Sequence, residues 1–420
     1  MINKEGVLEA HKRNGGKVGT IGKVAISGMD DLSVYYTPGV AYVCEAIKAD
    51  KMLAYEYTSK SNTVAIVSDG TRILGLGDIG PEAGMPVMEG KALLFKKYGG
   101  VDAVPLCLDT KDENEIIKVV KAIGPSFGAI NIEDIESPKC FRIVDRLSRE
   151  LSIPVFHDDQ QGTAVVVLGA LVNALKLVGK DKKARIVVNG AGAAGLGIIR
   201  LLSFAGYKNL YSLDRNGIIY KGREDLNDFK KEIALKTNSE GLSGGIEEAV
   251  KGSDVLISAS KKGAFGKEII GLMAEKPITF MLANPEPEIS YLEAREGGAY
   301  IAATGRSDTP NQINNLVSFP GIVKGILEVR ASGVNYEMLY AGAIAISKSV
   351  SGRLSQENIV SSVLDPKAAS KVASNVAGAV AEAAVKTGLA SVKRTKQEVS
   401  KDTKQAIKNY SKLEKRIPNL

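Results

Sequence analysis

Two short apolar runs in the middle of the chain end abruptly in carboxylates. FGAINI stops at Glu133 and Asp134, and IPVFH stops at Asp158 and Asp159. Acids placed this way can hold a hard cation or cap helices. Apolar runs of this length, separated by the helical pattern of Ser137 to Leu151, read as parallel buried strands. In open α/β sheets the ligand lies beyond the carboxyl ends of the strands. The four acids are therefore expected at one strand-end crevice. Unpaired, they would repel, and a divalent cation would resolve the conflict. An all-oxygen set favours Mg²⁺ or Mn²⁺ over zinc. Two acidic helix N-caps would leave the same trace in the sequence.

A second constellation is NGAGAAG. Gly190, Gly192 and Gly195 follow the strand pattern of Lys183 to Val188 and precede a helical one, with Ala193 and Ala194 between the last two glycines. Bare backbone lets a pyrophosphate approach there, and the helix N-terminus stabilises its charge. Asp214 follows a further strand pattern, Leu210 to Leu213, where a carboxylate suits the adenosine ribose hydroxyls. That favours NAD, because Asp214 would repel a 2′-phosphate. Arg215, Lys221 and Arg223 lie close enough in sequence to leave NADP open. Asn284 in ANPEPE and Asn315 at the end of TGRSDTPNQINN offer neutral amides for a carboxylate, a hydroxyl or the nicotinamide amide. Asparagines in such loops also simply form turns.

Three more side chains are placed to act. Tyr36 stands just before the Pro38-Gly39 turn. Arg72 follows Asp69-Gly70, a hairpin signal that pairs the strand Thr63 to Ser68 with Ile73 to Leu76. A guanidinium there suits a carboxylate or an ordinary surface ion pair. Lys91 lies near the start of a helix read from Pro86 to Tyr98. A positive helix terminus and burial would both lower its pKa towards that of a base.

The elements that must position these groups alternate strand and helix over 420 residues of 44% hydrophobic content, a soluble α/β pattern of two or three domains. The division expected is a substrate and metal domain over 1–160 and a Rossmann-type dinucleotide domain over 161–325. Helices over 326–390 pack back on the first domain, and a basic tail covers 391–420. Residues 1–30 read as an arm, mobile or packed on a partner. In the tail, Val392, Val399, Ala406 and Leu413 recur at seven-residue spacing, a weak stripe for a second subunit or a segment loose in solvent. The tail carries most of the +7 net charge, so no basic nucleic-acid surface runs across the fold. No signal peptide is visible at the start, and Ala164 to Val178 is too short to span a bilayer. Cys44, Cys107 and Cys140 form no CxxC pair, which fits a reducing cytoplasm.

A nicotinamide dinucleotide beside an oxygen-ligated cation suits oxidation of a 2-hydroxy acid. The segments YTPGV (36–40), RILGLGDIG (72–80), EGKALLFKKYGGVDAVPL (89–106), NIEDI (131–135), HDDQQGTA (157–164), NGAGAAG (189–195), ANPEPE (283–288) and NQINNLVSFPG (311–321) resemble malic enzymes in their short prokaryotic form. The likeness runs in order from about residue 20 to 390. It lacks the acyltransferase-like domain of the longest members and does not include the tail.

The resemblance implies that Lys91 takes the proton of the malate hydroxyl, Asp158 positions it, and Tyr36 protonates the enolpyruvate carbon. It implies Glu133, Asp134 and Asp159 as metal ligands and Arg72 as a clamp on malate. It places Asn284 and Asn315 along substrate and nicotinamide. Malate would pass through oxaloacetate and enolpyruvate to pyruvate, with reduction of NAD or NADP. The family is usually dimeric or larger, and the arm would complete a neighbour's site. An oxaloacetate decarboxylase or malolactic enzyme would share the scaffold. A silent dinucleotide-binding regulator would need a broken catalytic set, and none is visible. An amino-acid dehydrogenase would not need the acidic cluster.

Overall fold

The structure, a computed structural model, describes residues 3–416. β1 (Thr63–Ser68), β2 (Asp102–Cys107), β3 (Ala129–Ile132) and β4 (Val155–His157) form a parallel sheet in the order β2-β1-β3-β4. Every position of β1 is buried, as its unbroken TVAIVS suggests for a strand covered on both faces. The hairpin expected after Asp69-Gly70 does not form, and Ile73 makes only an isolated bridge to Gly77. The reason is topological: β1 already has β2 on one side and β3 on the other, so no edge is free for Ile73 to Leu76.

A second sheet contains β5 (Ile186–Asn189), β6 (Leu210–Asp214), β7 (Gly217–Ile218), β8 (Val255–Ser258), β9 (Ile278–Met281) and β10 (Ile301–Thr304). Its order is β10-β9-β8-β5-β6-β7, parallel except for the short β7. The chain leaves β5 first to one side and then to the other, so the crevice opens between the ends of β5 and β8.

The Thr163–Val178 helix joins the two halves and is buried along most of its length. With the preceding turn it forms a 21-residue apolar stretch, Asp158–Val178, long enough by length and composition to cross a membrane. It is longer than the sequence pattern suggested, and it serves as a core helix, packed against the Ala193–Phe204 and Tyr336–Ser349 helices.

After β10 the Phe319–Glu328 and Pro366–Lys386 helices return to the Pro81–Gly99 helix of the first half, while Tyr336–Ser349 packs on Thr163–Val178. Phe319 packs edge-on against Phe95 of the Pro81–Gly99 helix, with ring centroids 4.6 Å apart. Burying each ring contributes about 1.5–3 kcal/mol before the cost of ordering it.

Within the described residues the tail is neither loose nor free; 417–420 lie outside them. Its Lys396–Glu414 helix opens with a capping box of Thr395 and Glu398 and buries Val399, Thr403, Ile407 and Tyr410. These face the Pro366–Lys386 and Pro81–Gly99 helices of the same chain. The buried stripe follows the three-and-four spacing of a helix on a core. Of the seven-residue series only Val399 is fully buried.

The opposite end differs. The Lys4–Asn14, Met29–Tyr35 and Val40–Ala49 helices bury no residue, and none from 3 to 59 is buried.

Candidate active site

Parallel register brings the acids together. Val67 pairs with Ile132, and Ile132 with His157. Glu133 and Asp158 therefore leave neighbouring strands at one level, with Asp69 following β1 beside them. Asp134 takes a left-handed conformation at φ 52°. Its amide donates to Asp159 Oδ2 at 2.9 Å, and its carbonyl accepts from the Arg72 amide at 3.0 Å. One oxygen each from Glu133, Asp134 and Asp159 lies within 4.8 Å of the others.

Lys91 reaches the cluster from the middle of the Pro81–Gly99 helix, over the Phe319 ring at 4.3 Å. Its Nζ donates to Asp158 Oδ2 and lies 2.8 Å from Glu133 Oε1. Asp158 Oδ2 also accepts from Asn315 Nδ2 at 2.6 Å.

The expectation that Lys91 tends to neutrality is overturned here. The helix begins at Pro81, not Pro86, so Lys91 is far from its positive end. Burial does disfavour the ammonium, but Asp158, Glu133 and Asp159 outweigh it and raise the pKa. Burial, and next the Asp159 charge, push the Asp134 carboxyl up to about 8. Burial raises Glu133 as well, against the opposing pull of Lys91. Four carboxylates thus face one ammonium, an excess of negative charge that an oxygen-preferring divalent cation at Glu133, Asp134 and Asp159 fits. The buried Asp158 Oδ1 has no hydrogen-bond partner among the described residues and offers a further acceptor beside these ligands.

Several contributors were not singled out in the sequence. Asn131 donates to Glu133 Oε2 at 2.7 Å. Its signal was present, since residues two apart on a strand share a face. His157, fully buried, places Nε2 3.5 Å from Asp159 Oδ2, longer than a good hydrogen bond. Lys139 Nζ lies 2.5 Å from the buried Asp69, which also accepts from the Thr71 amide and hydroxyl at 3.0 and 2.6 Å. That pair pins the loop carrying Arg72, and nothing in local sequence announces it.

Arg72 is exposed, donates to Leu74 O at 3.3 Å, and its charge opposes the rise of the Asp134 pKa. Asn284 is exposed in the loop after β9. The next residue, Pro285, packs on Gly75, so this loop meets the loop after β1. The two sheets' loops close on one crevice. Tyr36 lies beyond the 1–30 arm: it is 66% exposed, and no hydrogen bond among the described residues joins it to the cluster.

The glycine turn has the shape a dinucleotide needs. Gly190 has φ 110°, and a Cβ there would sit 2.4 Å from Ala259 O. A Cβ on Gly195 would sit 1.7 Å from Gly190 O, whereas Gly192 faces open space where the Ala193–Phe204 helix begins. Ala193 and Ala194 form the first turn of that helix. Gly197 on the same helix abuts Gln160, two residues beyond Asp158, with room for no Cβ. The acidic turn and the dinucleotide helix are thus one packed unit. Asp214 is not free: its Oδ2 accepts from Arg223 Nη2 and Lys230 Nζ, each at 2.6 Å.

Residues 16–118 match the family model of the malic enzyme N-terminal domain, and residues 160–385 that of the malic enzyme NAD binding domain. A bifunctional malic/malolactic enzyme of Bacillus subtilis is 47% identical over 407 residues, 96% of this chain and 98% of that one. An NAD-dependent malic enzyme of Geobacillus stearothermophilus is 51% identical over 378 residues, 90% of this chain and 78% of that one. The crystal structure of malic enzyme from Pyrococcus horikoshii superposes with a TM-score of 0.94 at 48% identity, covering 99% of this chain and 98% of that one.

Proposed function

The chain belongs to the malic enzyme family, and from that premise we propose how its own residues carry out the oxidative decarboxylation of malate to pyruvate with reduction of NAD(P)⁺. The observation that carries the reading is the convergence of Lys91, Asp158 and three further carboxylates on a turn packed against the dinucleotide helix.

Glu133, Asp134 and Asp159 would hold a Mg²⁺ or Mn²⁺ ion. Bound there, a nicotinamide would supply the hydride acceptor for malate C2, and a divalent cation would supply Lewis-acid polarisation of the substrate oxygens. Lys91 receives the hydroxyl proton at Nζ. To do so it must shed the proton that the carboxylates hold on it, and sharing of their charge with a cation lowers that demand. Asp158 and Asn315 fix the direction of Nζ through a shared oxygen. Arg72 clamps a malate carboxylate, and Asn284 lines the nicotinamide side. Tyr36 delivers the final proton to C3.

Tyr36 is 66% exposed and makes no hydrogen bond to the cluster among the described residues, and the segment 3–59 around it exposes Ile21, Ile26, Val34 and Tyr42 by 56, 58, 61 and 75%. We therefore read the enzyme as a homodimer or larger homo-oligomer in which a second copy covers the arm and receives its Tyr36. Residues 1–160 and 161–325 act as the substrate and dinucleotide domains, with 326–390 and 391–420 bracing the first. The free cysteines Cys44, Cys107 and Cys140 suit a reducing cytoplasm.

Steady-state kinetics with malate, Mn²⁺ and each of NAD⁺ and NADP⁺ tests the reading. Stoichiometric pyruvate and reduced nicotinamide are expected. Lactate without net reduction would instead assign a malolactic reaction, an activity that the Bacillus relative's name includes.

A further inference from the structure

Glu288 is an acid that the chemistry above leaves unused. It closes the ANPEPE segment and is 1% exposed. No cation pairs with it among the described residues, and Lys262, on the neighbouring loop, pairs with Glu286 instead. A buried charge is costly unless hydrogen bonds meet it. Here the backbone meets it. The Ser260 amide donates to Oε1 at 2.7 Å, the Ser260 hydroxyl to the same oxygen at 3.2 Å, and the Ala283 amide to Oε2 at 3.3 Å. Burial pushes the Glu288 pKa up, and these bonds pull against it. Each carboxyl oxygen faces an amide N–H, so both must accept. Only a carboxylate offers that; a neutral carboxyl or a carboxamide turns a donor towards one of the two amides.

The two amides belong to different loops. Ser260 follows β8, on the wall of the crevice. Ala259 O beside it is the atom that leaves no room for a Cβ on Gly190. Asn189, at the end of β5, donates to Ser258 Oγ at 3.0 Å, which lies 3.1 Å from Ser260 Oγ. Ala283 follows β9 and precedes Asn284, whose amide a Cβ on Gly305 would meet at 3.1 Å. β8 and β9 are paired as far as Ser258 and Met281, and the Leu282 amide still donates to the Ser258 carbonyl at 2.8 Å. Past that bond the Glu288 carboxylate ties the loops together. Stability alone gives little reason to bury an acid without a cation.

We propose that Glu288 is a positioning residue: its carboxylate fixes the spacing of the loops after β8 and β9 and thereby holds Asn284 at the nicotinamide end of a bound dinucleotide. The inference rests on the dinucleotide reading above and adds a residue to that site.

The test compares Glu288→Gln with wild type in the full chain. Calorimetry measures NAD⁺ or NADP⁺, whichever binds more tightly, against ADP-ribose or its 2′-phosphate, which has no nicotinamide. Glu288→Gln is expected to bind the whole dinucleotide about fivefold more weakly, the share of one hydrogen bond, and the fragment within about twofold of wild type. With malate and Mn²⁺, kcat should fall about tenfold or more in Glu288→Gln and in Asn284→Ala. The double variant should be within about twofold of the slower single one, because both changes act through one amide. Equal losses for dinucleotide and fragment, or kcat losses that multiply, would make Glu288 a general brace and overturn the inference. Failure of both Glu288→Gln and Glu288→Asp to fold would do the same. If wild type binds neither dinucleotide nor fragment, the dinucleotide reading fails, and the inference with it.

Discussion

Lys91 and Tyr36 are expected to serve one reaction as base and acid, yet they belong to parts of the molecule built in opposite ways. Lys91 is buried, held by two carboxylates, and stacked over Phe319, which the returning helices press into place. Tyr36 lies just beyond the arm, in a segment in which no residue from 3 to 59 is buried. A side chain acting on a proton must be held to a fraction of an ångström. The body achieves that with its own core. Among the described residues this segment has no such core, and the homo-oligomer proposed above would supply the missing support.

The most severe test of the contrast is Lys91→Ala. Malate oxidation should fall about 10²- to 10⁴-fold, the usual share of a general base, while calorimetry shows dinucleotide binding retained. Loss of that binding would put Lys91 in the wrong site. Tyr36→Phe should slow pyruvate release by about a hundredfold. Mixed dimers of the two variants sharpen the comparison. If the arm crosses to its neighbour, one site per mixed dimer is whole, and about a quarter of wild-type activity returns. No recovery would mean that each arm serves its own chain.

A smaller effect is expected at the acidic cluster itself. Asp159→Ala should raise the Mn²⁺ needed for half activity by about tenfold or more. An unchanged requirement removes Asp159 from the ligand set.

The mildest effect is on stability. The Asp134 carboxyl sits at about 8 in the fold against an ordinary 3.8. Between those values the folded chain holds a proton that the unfolded chain has lost, so stability falls as pH rises and levels off above about 8. Melts in chelator should lose a few degrees from pH 5 to pH 8, and Mn²⁺ should restore them. Tyr36→Phe should leave this pH trend untouched, since the arm shares none of that charge. A trend that vanishes in Tyr36→Phe would show that the Tyr36 hydroxyl, from whichever chain, is coupled to the cluster.

Much of this was legible in the residues. The unbroken apolar runs declared parallel strands, and the acids following them declared a strand-end crevice. The glycine turn between strand and helix declared a dinucleotide cradle. Expectations failed where a distant partner decided the outcome. The Ile73 to Leu76 strand had the right local signal but no open edge on β1. The tail had a weak stripe whose partner was another helix of the same chain.

What the sequence determined by itself was therefore the set of chemical groups and the two kinds of crevice, because periodicity, turn residues and glycine spacing are local properties of the chain. Only the tertiary structure decided the charge state of Lys91, the pairing of Asp214 with Lys230, and the exposure of Tyr36. Burial and Coulomb forces depend on neighbours far along the chain, and the sequence states their identities without their distances.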